Sequence, residues 1–341
     1  MSPSCRSSSF VVVAVAILVA GQIGTVGCAT GAGVSVPDVA APVVEEGPGR
    51  RPPPSGVPII PAPLVFVGDG RFAFVDGKTG AALGIDDVIA RLRAHGVVVV
   101  GEQHDQLPHH EAQRRVIQMM AGDGPGLVVG LEMLSWDKQP VLDRFNDGEL
   151  DAKAFAAAVD WKAAWGFDFG LYQGIFDTGR AGGARFLALN APRDLVRSIR
   201  KQGIDGLPAS DKAQVPELDL GDALHRRWFE GIFNSAGHPL KEAEVDGFYR
   251  AQVLWDESMA DRAAKALQGG ARQVVVIAGA GHIAAGRGIP QRVERRLRKP
   301  VLTVQPLTVE TDSVDRVIGQ AIANADADIL VVPRFEHEIV L

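Results

Sequence analysis

Cysteine is nearly absent. The 341 residues hold two, Cys5 and Cys28, both near the N-terminus. Everything downstream therefore lacks a disulfide, a thiolate metal site and a cysteine nucleophile. Tyrosine is as scarce, with Tyr172 and Tyr249 alone. Basic charge is not in excess. The net charge is −6 and the pI about 5.8, which lacks the electrostatic footprint of a nucleic-acid binder, and no nucleic-acid partner is expected. The arginines between Arg287 and Arg298 are interrupted by Glu294 and read as the solvated face of a helix. No Gly-x-Ser-x-Gly elbow occurs, and Ser135 and Ser235 lack a strand–turn setting, which argues against a serine triad. Gly279-Ala-Gly-His-Ile-Ala-Ala-Gly286 lacks the glycine spacing of a dinucleotide fingerprint and comes late in the chain. The apolar run Phe10–Ala20 falls short of the roughly 20 residues that a membrane-spanning helix needs.

What is present is a globular composition, 46% apolar and 22% charged. Arg6, the run Phe10–Ala20 and the small residues before Cys28 form an export signal, with no charge between Arg6 and Asp38. Val26-Gly27-Cys28 resembles a bacterial lipobox, whose cysteine takes lipid and becomes the mature first residue; Thr25 stands where leucine is usual. Residues 1–28 are thus expected to be a lipoprotein-type signal with lipidation at Cys28. Residues 29–63, rich in Pro and Gly and without period, are expected to be a disordered tether. Together they predict a cell-envelope protein anchored to a bacterial membrane, with residues 64–341 as the folded domain.

From Leu64 onward the pattern is periodic. Val65–Val67 and Arg71–Val75 flank Gly-Asp-Gly as a hairpin, and Ile85–Ala94 has helical spacing. Val97–Val100 is a fully apolar, β-branched run of the kind buried on both faces. Similar runs at Leu127–Leu131, Arg185–Leu189, Gln273–Ala278 and Val301–Val304 alternate with helical stretches, and Ile329–Val332 reads as a last edge strand. This alternation predicts an α/β fold: a mostly parallel central sheet, helices on both faces, and a helical insertion.

Ligands in such sheets sit beyond the carboxyl ends of the strands. The runs end in Gly101-Glu102-Gln103-His104, in Glu132, in Asn190 followed by Arg193, and in Gly279-Ala-Gly-His282. Imidazoles and carboxylates at one topological level suit a divalent transition metal with an open position, so His104, His282, Glu102 and Glu132 are candidate metal ligands. The second carboxylate would serve as base on metal-bound water. Singly, each has a plainer reading: a glutamate can partner the next helix N-terminus, and a lone loop histidine is more often a satisfied structural one. His95, His225, His238 and His337 are read as loop or surface residues without a role.

The string Gly101-Glu-Gln-His-Asp-Gln-Leu-Pro-His-His110 with Gln113 resembles the opening motif of ChaN-type haem-binding lipoproteins of the Tiki superfamily. Further strings agree in order: Gly130-Leu-Glu-Met133, Trp161…Trp165-Gly166…Tyr172, Leu189-Asn-Ala-Pro-Arg193, Gln252…Trp255-Asp256, and Gly279-Ala-Gly-His282. The resemblance runs from about Leu64 to Val332 and implies two things. One is haem binding, with haems face to face between the subunits of a homodimer, in haem or iron acquisition. The other is the metal-dependent peptidase chemistry of the wider superfamily, whose two Gly-x-x-His motifs and glutamate map onto Gly101–His104, Gly279–His282 and Glu132. On that reading Glu102, His104, Glu132 and His282 are catalytic, and Arg193 steadies developing negative charge.

Haem needs an axial ligand. Tyr172, in the aromatic segment Trp161–Phe176, with His109 and His110, are the candidates, and that segment is the expected haem patch. Taken singly, its aromatics also fit a helix packed onto the sheet. A third reading, a partner-binding patch around Trp228 and Trp255, rests on aromatic content alone.

Overall fold

The computed structural model describes residues 63–235, 242–310 and 312–334. The signal, Cys28 and nearly all of the tether lie outside the described residues, as do His238 and His337.

A single sheet organises the domain. Its strands are β1 (Phe66–Val67), β2 (Phe72–Asp76), β3 (Ala82–Leu83), β4 (Val97–Val100), β5 (Leu127–Ser135), β6 (Arg185–Asn190), β7 (Gln273–Ile277), β8 (Leu302–Pro306) and β9 (Ile329–Pro333). They lie in the order β1-β2-β9-β8-β4-β7-β5-β6, with β3 on β2. From β9 to β6 every pairing is parallel; the strands around β2 are antiparallel. The expected mostly parallel α/β sheet is thus observed.

β4 shows why the sequence folds this way. Its four valines are all buried, and alternate side chains leave opposite faces of a strand. Val98 and Val100 join a core with Val116 and Ile117 of helix Leu107–Ala121 and Phe176 of helix Gly170–Ala181. Val97 and Val99 join another with Met259, Ala260 and Ala263 of helix Glu242–Gln268 and Val293 of helix Ile289–Leu297. Both faces are therefore covered by helices. The expected helical insertion lies between β5 and β6, as Gln139–Asn146, Ala152–Ala158, Trp161–Trp165 and Gly170–Ala181. Its aromatic centre is Phe145, Phe155, Phe176 and Phe186, with Phe176 stacked on Phe186 at 4.9 Å.

Ile329–Val332 is not an edge strand. β9 lies between β8 and β2, because the hairpin at the start of the domain returns to pair antiparallel along its full length. Chain order alone gave no signal for that return.

β5 extends to Ser135 rather than stopping at Leu131, and its register with β6 shifts between those two residues. The irregularity spans Glu132. The neighbours β4, β7 and β5 are parallel, so their carboxyl ends share one rim of the sheet.

Candidate acid–base crevice

That rim brings the acidic and imidazole residues together in two units. In the first, Glu102 follows β4 and is enclosed. Its Oε1 accepts from His104 Nδ1 at 2.6 Å and from the Tyr172 hydroxyl at 2.7 Å. Its Oε2 accepts from Gln113 Nε2 at 2.8 Å and stands 3.3 Å from His110 Nδ1. Trp165 Nε1 donates to the Tyr172 oxygen at 2.9 Å. Burial by itself would raise the Glu102 pKa, but the hydrogen bonds from His104 and His110 outweigh it and hold this carboxyl far below the usual range.

In the second unit Glu132 and Asp256 flank His282. Glu132 Oε1 is 3.2 Å from His282 Nε2, and Glu132 Oε2 accepts the Gly279 backbone N–H at 2.6 Å. His282 Nδ1 is 2.6 Å from Asp256 Oδ1. Burial opposes charge on this imidazole, yet the carboxylates on either side push its pKa up to about 10. Burial likewise opposes charge on Glu132 and Asp256, and both are nevertheless lowered, chiefly by His282.

The glycines of the two Gly-x-x-His strings have a steric reason. A Cβ on Gly279 would stand 2.8 Å from His104 Cε1, 3.2 Å from its Nε2 and 3.5 Å from Glu132 Oε2. The glycine of one string thus makes room for the histidine of the other, and the two units meet beside Gly279. Burial works against a charge on His104, but its bond to Glu102 and the field of Glu132 raise its pKa.

A family described as "Haem-binding uptake, Tiki superfamily, ChaN" matches residues 88–293, more than half of the chain. The chain belongs to this ChaN family. A solved structure of cofacial haem binding to ChaN of Campylobacter jejuni aligns with 78% of this chain and 98% of that one, with TM-score 0.61 and 22% identity. At that identity the likeness speaks for the fold. The curated protein RETICULATA-RELATED 5 (chloroplastic) of Arabidopsis thaliana is 25% identical over 185 residues. That alignment takes in 51% of this chain and only 25% of the Arabidopsis protein.

Within this ChaN-family chain, the expected site residues divide. Glu102, His104, Glu132 and His282 do gather at the rim. Glu102 is not placed as a metal ligand: its carboxylate lies behind His104, bonded to Tyr172 and Gln113. Among the described residues no group of three or more His, Cys, Asp or Glu side chains stands as metal ligands would. Arg193 does not reach the crevice. It is exposed and donates to the carbonyls of Ala163 and Ala164, at 3.1 and 2.7 Å.

The expected axial ligands do not fit haem iron here. Tyr172 is fully buried, with its hydroxyl between Glu102 and Trp165. His109 Nδ1 accepts the Gln103 N–H, and its Nε2 is 3.1 Å from the Thr308 hydroxyl. His110 uses Nδ1 on Gln113 and Nε2 on the His104 carbonyl. All three are spent on fixing the loop that carries His104.

Gln252 and Asp256 stood among the family strings in the sequence but were given no role; they form the far side of His282. Asp256 and Gln252 lie one turn apart on helix Glu242–Gln268, a polar i,i+4 pair that was a usable signal. His225 is not a surface residue. It is buried on the inner side of helix Ala223–Ser235, with Nε2 3.4 Å from Asp256 Oδ2 and its ring stacked on Trp228. Trp228 and Trp255 therefore pack towards these histidines, with Trp255 6.5 Å from His282.

Because the folded pKa of His282 is raised, its contribution to stability is fully present below the ordinary 6.5 and is lost as pH rises through about 10. The stability gap between the parent chain and His282→Gln should be largest at or below pH 6.5 and close towards pH 10. Urea denaturation at a series of pH values checks this; a gap that does not change with pH refutes the assignment.

Proposed function

We propose that this chain is an exported, lipid-anchored haem-binding protein serving haem or iron acquisition at the cell envelope. Family membership over residues 88–293 supports the haem part. The structural observation that carries it is an open cleft of about 440 Å³ within the helical insertion, lined by Ala156, Ala157, Asp160, Trp161, Lys162, Phe167, Asp168 and Phe169. Its volume is that of small-ligand sites, and one wall, from Trp161, Lys162 and Phe167–Phe169, lies in the aromatic segment expected to take haem. Phe167 and Phe169, each partly exposed, offer apolar surface to a porphyrin; Trp161 is buried and backs Phe169. Lys162 Nζ spends one N–H on the Gly166 carbonyl and keeps others for a propionate. Tyr172, His109 and His110 are not assigned to the iron.

Hemin titrated into the folded domain should give a saturable Soret shift that Ala157→Trp weakens and Tyr172→Phe leaves unchanged. No shift, or an unchanged titration in Ala157→Trp, removes this reading. The export half rests on the sequence before residue 63. Full-length chain expressed in bacteria should partition with membranes and incorporate labelled palmitate, and Cys28→Ala should abolish both; label retained in that variant disproves the anchor.

One observation favours a second reading, acid–base hydrolysis of an ester or amide: two carboxylate-backed imidazoles converge beside Glu132. His104, with its Nδ1 proton held by Glu102, can accept a proton from water at Nε2. His282, kept cationic by Glu132 and Asp256, can donate one to the leaving group. No step is routed through a metal. The base must first lose its proton and the acid must keep its own. The rate should therefore rise with pH through a value above 6.5 and fall near 10. Glu132→Gln and His282→Asn should each lower kcat/KM by roughly 10²–10⁴. Nitrophenyl esters and short peptides are the assay, and absence of turnover across both panels eliminates the reading.

A further inference from the structure

The acid–base groups of the crevice are covered. Glu102 is 2% exposed, and His104 and Glu132 are each 6% exposed. Over His104 lie two aromatic rings, Trp165 edge-on at 4.8 Å and Phe167 tilted at 5.2 Å. Both belong to the short segment between helices Ala152–Ala158 and Gly170–Ala181. We propose that residues 162–167 form a hinged cover, latched by Arg193, that swings aside before any ligand reaches His104. The proposal goes beyond both functional readings, because it concerns access to His104 rather than occupancy of the cleft beside it.

The segment has the construction of a moving part. Its helix, Trp161–Trp165, is five residues long and is too short to persist without tertiary support. Sharp corners bound that helix: Asp160 at φ 49° and Gly166 at φ 97°, both left-handed. Trp161 and Phe169 stay behind as pivots, since each packs on Phe176 and Trp161 also packs on Tyr172. Between the pivots, few polar bonds reach the rest of the domain. Arg193 donates to the carbonyls of Ala163 and Ala164, and Trp165 Nε1 donates to the Tyr172 hydroxyl. Lys162 bonds only within the segment, to the Gly166 carbonyl. The cleft lined by Ala156, Trp161, Phe167 and Phe169 gives the Phe167 ring space to turn into.

The Trp165 bond also ties the cover to the site. Its acceptor, the Tyr172 hydroxyl, donates to the same Glu102 oxygen that holds His104. Lifting Trp165 therefore frees a lone pair on Tyr172 and uncovers His104 in one movement. Arg193, expected from sequence to act on the reaction itself, acts here on the carbonyl end of a helix, where a cation is favoured.

Diethyl pyrocarbonate labelling of the full-length chain, read peptide by peptide by mass spectrometry, tests the cover. In Arg193→Ala and in Trp165→Ala, the His104 labelling rate should rise at least several-fold, while His95, which lies on the opposite rim at the end of helix Ile85–Ala94, keeps its rate. A His104 rate equal to that of the parent chain in both variants overturns the proposal, as does a parallel rise at His95. Hydrogen exchange of the unmutated chain provides a check that needs no variant. The Ala164 and Gly166 amides, bonded to the Asp160 and Lys162 carbonyls, should exchange much faster than the Phe176 amide. Equal protection overturns the proposal.

Discussion

Glu132 holds the two halves of the crevice in register. Its carboxylate takes the Gly279 N–H and faces the His282 imidazole, so the end of β5 is tied to the loop leaving β7. A buried carboxylate is tolerable only when paired and hydrogen-bonded. The pairing propagates outward. His282 needs Asp256 on its other nitrogen, and Asp256, itself fully buried, lies 3.4 Å from His225 Nε2 and 4.0 Å from Arg292 Nη1. Arg292 in turn approaches Glu257, which also bonds Arg295 and Arg296. A series of alternating charges thus runs from the sheet rim through helix Glu242–Gln268 to helix Ile289–Leu297.

The two imidazoles are alike in having a carboxylate behind Nδ1, and unlike in what surrounds that carboxylate. Glu102 is enclosed by Tyr172, Gln113, His104 and His110, all of which approach with hydrogen-bonding groups. Asp256 sits within an ionic network that reaches the protein surface at Arg295. The first arrangement fixes the orientation of His104, and the second fixes the charge of His282. Such a division of labour suits proton transfer. The cleft and the crevice are separate but adjacent, since Phe167 lines the one and packs on His104 in the other.

Family membership and site geometry speak to different features of the same domain. The match across residues 88–293 bears on haem, while the arrangement at Glu132 bears on acid–base chemistry. They meet in the helical insertion, whose aromatic residues wall the cleft and roof the crevice.

The parallel sheet was legible because its signal is local: β-branched runs such as Val97–Val100, separated by helical periods, admit few other folds. The convergence of Glu102, His104, Glu132 and His282 was legible for the same reason, because parallel strands deliver their ends to one rim wherever they fall in the chain. Which atoms of those residues face outward was decided only in three dimensions. Tyr172 and His110 looked like free ligands in sequence, and packing against Glu102 consumed their polar atoms. Arg193 follows its strand as a catalytic cation would, but the carbonyls of Ala163 and Ala164 claimed it. The position of β9 inside the sheet and the burial of His225 depended on contacts between segments far apart in sequence, which no local pattern encodes. Sequence thus determined which residues arrive at the rim; tertiary packing decided which of them kept a free hydrogen-bonding atom, because each donor and acceptor buried there had to find a partner.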